Sequence, residues 1–122
     1  MAQQVYTAAG EATTQIAGNL PTSAPTATTL QGALKEAHGK VSESGTVTVE
    51  VSGACVITLY TFNPSSLKWL PPGSSSASNQ KTFTGAGKDY FVARKGTLFF
   101  IKSDTGSITG YVDCDPVYGV SH

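Results

Sequence analysis

From residue 44 onward the side chains alternate apolar and polar with a period of two, and Gly, Pro or Ser interrupts the alternation every eight to twelve residues or so. That pattern constrains the fold more than any other feature of the chain. In Thr46-Val47-Thr48-Val49-Glu50-Val51 the valines share one side and the polar residues the other, which describes a half-buried strand of an antiparallel sheet. Cys55 to Phe62 is apolar on both faces, as in a central strand, and the intervening Ser52-Gly53 predicts that the two strands pair as a hairpin. Asn63-Pro64-Ser65-Ser66 predicts a turn before a strand from Leu67 to Leu70, which Pro71-Pro72-Gly73 ends. Residues 73 to 80 are polar and unanchored, and are expected to form an exposed, mobile loop. Four further strands are expected over Lys81 to Thr84, Asp89 to Ala93, Leu98 to Lys102 and Ser107 to Cys114. Seven short strands so spaced predict a mainly β fold, an antiparallel β-sandwich or jelly-roll-like barrel, over residues 40 to 122.

The first forty residues differ. Between Met1 and Leu30 the only charged side chain is Glu11, and Pro21 and Pro25 break regular structure. Val5, Tyr6, Ile16 and Leu20 recur at wide intervals, which suits an extended N-terminal arm over residues 1 to 27 that lies along another surface. One short helix is expected over residues 28 to 39. Thr28 and Gln31 have capping-box spacing, Leu30, Ala33, Leu34 and Ala37 share a face, and Gly39 supplies a stop. So short a helix must dock to persist.

Eight basic and eight acidic side chains leave no net charge, so nothing in the chain's field would draw in nucleic acid or an anionic membrane. The charged fraction of 13% is well below the roughly 25% of an ordinary globular protein, so a partner could desolvate this surface cheaply. No apolar run approaches the roughly 18 residues of a membrane span, and the start lacks the basic and apolar regions of a signal peptide. The expected compartment is the cytoplasm, with assembly there. Cys55 and Cys114 are too few for a disulfide scaffold or a zinc site and are expected to be buried thiols; a bond between them would need Cα atoms within about 7 Å.

The sequence is poor in groups for proton transfer and nucleophilic chemistry, and the expectation is a protein that is not an enzyme and uses no cofactor or metal. Asp104-Thr105-Gly106 is the triplet of aspartic proteases, but those enzymes place it early in a small fold, whereas here 16 residues follow it. A turn between strands accounts for the same letters. Asp113 and Asp115 flank Cys114 on one side of an extended segment, without the further oxygens that a hard cation recruits. His38, at a helix end, and His122, the last residue, have no sequence neighbours that complete a ligand set or triad. Tyr60, Phe62, Trp69, Tyr90, Phe91, Phe99 and Phe100 are expected to be mostly core, with Trp69 partly exposed, while Tyr6 and Tyr118 suit docking onto a neighbour.

The Ala/Thr-rich arm after Met1, the helix and the Gly/Ser-punctuated strands, including Val92-Ala93-Arg94-Lys95-Gly96-Thr97-Leu98-Phe99-Phe100-Ile101, resemble small virion proteins of tailed bacteriophages, in particular head decoration or cement proteins. The resemblance implies a symmetric homo-oligomer, a dimer or trimer, that clamps adjacent major capsid subunits and bridges seams with its arm, so that the expected location is the virion. Val5, Tyr6, Ile16, Leu20, Trp69 and Tyr118 are the candidate partner-binding residues. Two alternatives stand beside it: a tail, fibre or head-to-tail joint component, and a carbohydrate-binding module with Trp69 and Tyr60 on an exposed planar platform.

Overall fold

The computed structural model describes residues 14–41, 43–70 and 79–114, with side chains over 19–41, 43–70 and 79–112. Alternation dictates the first layer. Strand β3 (Thr46–Val51) buries Val47, Val49 and Val51 and turns Thr46, Thr48 and Glu50 outward. It lies between β7 (Gly87–Val92) and β9 (Thr109–Cys114), and β1 (Thr14–Asn19) completes a four-stranded antiparallel sheet in the order β1-β9-β3-β7. The second sheet is built on the nine-residue β4 (Cys55–Asn63). One edge of β4 pairs with β8 (Leu98–Ser103), which in turn pairs with the two-residue β2 (Gly39–Lys40). The other edge is shared by β6 (Gln80–Phe83), opposite Cys55–Thr58, and β5 (Lys68–Leu70), opposite Thr61–Asn63.

The two sheets pack face to face, giving a mainly β, sandwich-like fold with antiparallel pairing throughout. Val47, Val49, Val51, Phe91 and Val112 from the first sheet meet Ile57, Leu59, Phe99 and Ile101 from the second in one buried cluster. The far face of the second sheet is covered too, by helix α1 (Leu30–Glu36), whose Ala33 packs with the following Ala37 on Tyr60, Phe62, Trp69, Leu98 and Phe100. A sheet covered on both sides explains why β4 and β8 are apolar on both faces.

The same logic corrects the expected hairpin between β3 and β4. They belong to different sheets, because a strand with a polar face suits the outer layer and one apolar on both faces suits the layer between. Ser52 carries the crossing, its N–H bonding the Thr109 carbonyl (3.0 Å) and its hydroxyl accepting from the Thr109 N–H (3.1 Å).

Nine strands occur among the described residues where seven were expected, β1 and β2 being the additions. The helix is shorter than residues 28 to 39. Its cap is Thr29, whose hydroxyl accepts from Gly32 N–H at 3.0 Å, and it ends at Glu36 because Ala37 and His38 leave it to reach the sheet, His38 N–H bonding the Phe99 carbonyl at 3.0 Å. Within residues 1 to 27, Thr14–Asn19 is a strand that lies along β9 of the same chain. Leu20 then enters the core at 4% exposure, its N–H bonding the Ile108 carbonyl, and Pro21 accepts from Ser103 N–H. Residues 1–13 lie outside the described residues, as do residues 71–78, which include residues 73 to 78 of the expected loop.

Candidate interaction surface

Two sheets have four faces. Two bury each other, α1 covers a third, and the fourth, the outer face of the four-stranded sheet, carries no layer among the described residues. Alternation positions its side chains. Because Phe91 and Val112 point into the core, Tyr90 and Val92 on β7 and Tyr111 on β9 must point out, at 53%, 76% and 54% exposure. Register sets Val92 opposite Thr46, Tyr90 opposite Thr48, and Glu50 between Lys88 and Tyr111. Glu50 and Lys88 are the charged residues of this face among the described strand side chains, and as cross-strand neighbours they offset each other. Among the described side chains the result is a neutral surface of threonines carrying two tyrosines and a valine.

The β7 edge of this face is guarded. Ala93 N–H bonds Gly45 carbonyl at 2.8 Å, so by antiparallel alternation Phe91 and Asp89 direct their backbone groups to β3, and Tyr90 directs its own to the open edge. The Asp89 carboxylate accepts from that Tyr90 N–H at 2.8 Å. A charged side chain on an edge strand capping an outward donor discourages another strand from pairing there.

The predicted partner-binding residues are not brought together. Leu20 and Trp69 are buried, correcting the expectation that they meet a partner: Leu20 docks on its own β9, and Trp69, at 7% exposure, lies edge-on to Phe62 (5.1 Å between ring centroids), its register partner, and to Phe100 (6.0 Å). Ile16 lies in β1 opposite Val112 in the register. Val5, Tyr6 and Tyr118 fall outside the described residues. Trp69 and Tyr60 share the cluster beneath α1, so they do not form the exposed planar platform that a carbohydrate-binding module needs. Tyr90, expected among the core aromatics, is instead turned outward by its alternation with the buried Phe91, and neither it nor Val92 nor Tyr111 was among the candidate partner-binding residues, although each is the alternation neighbour of a buried Phe91 or Val112.

The groups with a chemical ring to them are occupied structurally. Asp104 of the Asp-Thr-Gly triplet turns the chain after β8, its carboxylate accepting from Val56 N–H at 2.9 Å and its own N–H bonding the Val56 carbonyl at 3.1 Å. Cys55 is a buried free thiol; burial and the nearby Asp104 carboxylate push its pKa up, outweighing a hydrogen bond to Ser103, so the reactive thiolate is disfavoured. Cys114 lies in the other sheet, opposite Thr14. Among the described residues no group of three His, Cys, Asp or Glu is placed to hold a metal ion, and no helix is long and apolar enough to cross a membrane. The buried Trp69 indole N–H has no hydrogen-bond partner among the described residues. The chain matches no protein-family model, no curated protein and no solved structure.

Proposed function

We propose that the protein is a structural, non-enzymatic virion component that binds the assembled capsid of a phage and stabilises it, using the outer face of the four-stranded sheet as its contact surface. The observation that carries the reading is this face, uncovered among the described residues, where Tyr90, Val92 and Tyr111 stand exposed among threonines and Glu50 and Lys88 offset each other. Tyrosine supplies large contact area at low entropic cost, and a neutral surround is buried without a heavy desolvation penalty. A protein that binds the assembled shell and not its separated subunits shifts assembly toward the intact state by linkage. Many copies on a symmetric lattice make individually weak contacts sufficient through avidity.

The test is co-sedimentation with capsids of the virus that carries the gene, comparing the natural chain with Tyr90→Ser/Val92→Thr/Tyr111→Ser. All three positions are exposed, so the variant keeps its circular dichroism spectrum. Its binding is expected to weaken at least tenfold, about 1.4 kcal/mol, since tyrosine anchors are typical of interface hot spots. Undiminished binding would remove this face from the contact.

A further inference from the structure

His38 stands between α1 and β2, and its side chain is buried in the seam between the helix layer and the second sheet. Its ring packs on Phe100, with 4.9 Å between centroids. The outer edge of β8 is covered piecemeal there. Val41 N–H bonds the Thr97 carbonyl, His38 N–H bonds the Phe99 carbonyl, and the Pro21 carbonyl accepts from Ser103 N–H. Ile101 falls in the gap between them, and its backbone is the polar group that acts on the His38 ring there. The side chain thus lies over the gap in the sheet edge and fills the helix-to-sheet interface at once.

A proton on this ring would find little to balance it. On the covered face, β8 contributes Lys102 alongside Phe100, β4 contributes Thr58 and Tyr60, and β2 contributes Lys40. Helix α1 contributes Lys35 and Glu36. The Glu36 carboxylate is engaged elsewhere, accepting from Thr26 N–H, the Thr26 hydroxyl and Ala27 N–H, which clips the segment before the helix onto its last turn. Burial pushes the His38 pKa down from 6.5 to about 4, against the opposing pull of the Ile101 backbone.

We propose that His38 is an acid-operated latch: neutral, it seals α1 and the segment before it onto the second sheet, and protonated, it releases that layer while the two packed sheets stay folded. Release uncovers the apolar face of Tyr60, Phe62, Trp69, Leu98 and Phe100. The value in the docked state lies below that of a free histidine, so the latch contributes fully above about pH 6.5 and its contribution is lost as the pH falls through about 4. The docked-to-released ratio is expected to drop roughly sixtyfold between pH 7 and about pH 4.5.

Trp69, the single tryptophan, reports the covered cluster, and far-ultraviolet circular dichroism reports the strands. In urea titrations at neutral pH and near pH 4.5, the Trp69 step is expected to move to lower urea in acid and to precede loss of the strand signal. His38→Phe and His38→Asn should lose that movement, while Glu36→Gln should keep it. NMR titration of the natural chain needs no variant: His38 should remain neutral well below the 6.5 of a free histidine. Equal pH dependence in the His38 variants, coincident Trp69 and strand transitions in acid, or His38 titrating near 6.5 would each overturn the latch.

Discussion

Gly110 on β9 offers the sharpest test of how the chain before α1 is anchored. A Cβ at this position would lie 2.9 Å from Leu20 Cδ1 and 3.2 Å from both Cδ2 and Cγ, closer than carbon atoms tolerate. Leu20 is buried among the inter-sheet side chains, so it has little room to retreat. Overpacking of this kind costs about 1–3 kcal/mol. Because the φ of Gly110 lies outside the left-handed region, alanine fits the backbone, and the reduced freedom of the unfolded chain returns about 0.4–1 kcal/mol. Gly110→Ala should therefore destabilise by a net amount of about 1–2 kcal/mol. Leu20→Ala alone should cost about 2–5 kcal/mol as a buried truncation. In that background the clash is gone, so adding Gly110→Ala should be neutral or stabilising, a coupling of about 1–2 kcal/mol. Urea unfolding of the four proteins, followed by circular dichroism and Trp69 fluorescence, measures the cycle. If Gly110→Ala costs the same with and without Leu20, the leucine does not sit on β9, and the residues after β1 are free to meet something else.

Two further substitutions probe the sheet edge and the turn after β8. Asp89→Val removes the carboxylate that caps Tyr90 N–H and makes the free edge of β7 more apolar, so light scattering should show concentration-dependent association while the melting temperature changes little; a protein that stays as disperse as the parent would show that the edge needs no guard. Asp104→Ala deletes the 2.9 Å bond to Val56 N–H that pins this turn to β4, and should cost about 1–2 kcal/mol in thermal or urea unfolding, with no loss expected if the triplet merely decorates the surface.

The strands were legible because their signal is local. β3, β7, β8 and β9 alternate visibly, and Gly, Pro or Ser marks their ends to within a residue or two. β1 was not, because Thr14–Asn19 offers Ile16 as its single large apolar residue and contains Gly18. Only its six-pair register with β9, set by contacts about a hundred residues away in sequence, makes it a strand. The β3–β4 pairing was misread for a related reason, since a short Ser-Gly link looks the same whether it turns within a sheet or crosses between two. The informative signal was the apolar character of both faces of β4, which implies cover on both sides. Trp69 was expected to be partly exposed from its place before Pro71-Pro72, yet its burial is decided by Phe62 opposite and Phe100 beyond. His38 read as an isolated residue at a helix end, and its position under the helix layer depends on β2 pairing with β8.

The candidate surface was legible in principle from the same alternation, and its composition is the argument for a partner. On β3 the outward positions are Thr46, Thr48 and Glu50, which is what a strand facing water alone would use. On its two neighbours the outward positions include Tyr90, Val92 and Tyr111, although nothing in the inter-sheet core requires apolar side chains there. Scattered exposed apolar residues are ordinary, but these three lie on one face, in register with the β3 threonines or with the Glu50 that Lys88 offsets. The opposite side of the molecule shows what this chain does with an apolar sheet face that stays within it: it folds α1 down and closes the seam with His38. The four-stranded sheet receives no such cover from the described residues, and it is this contrast on which the proposed contact face rests.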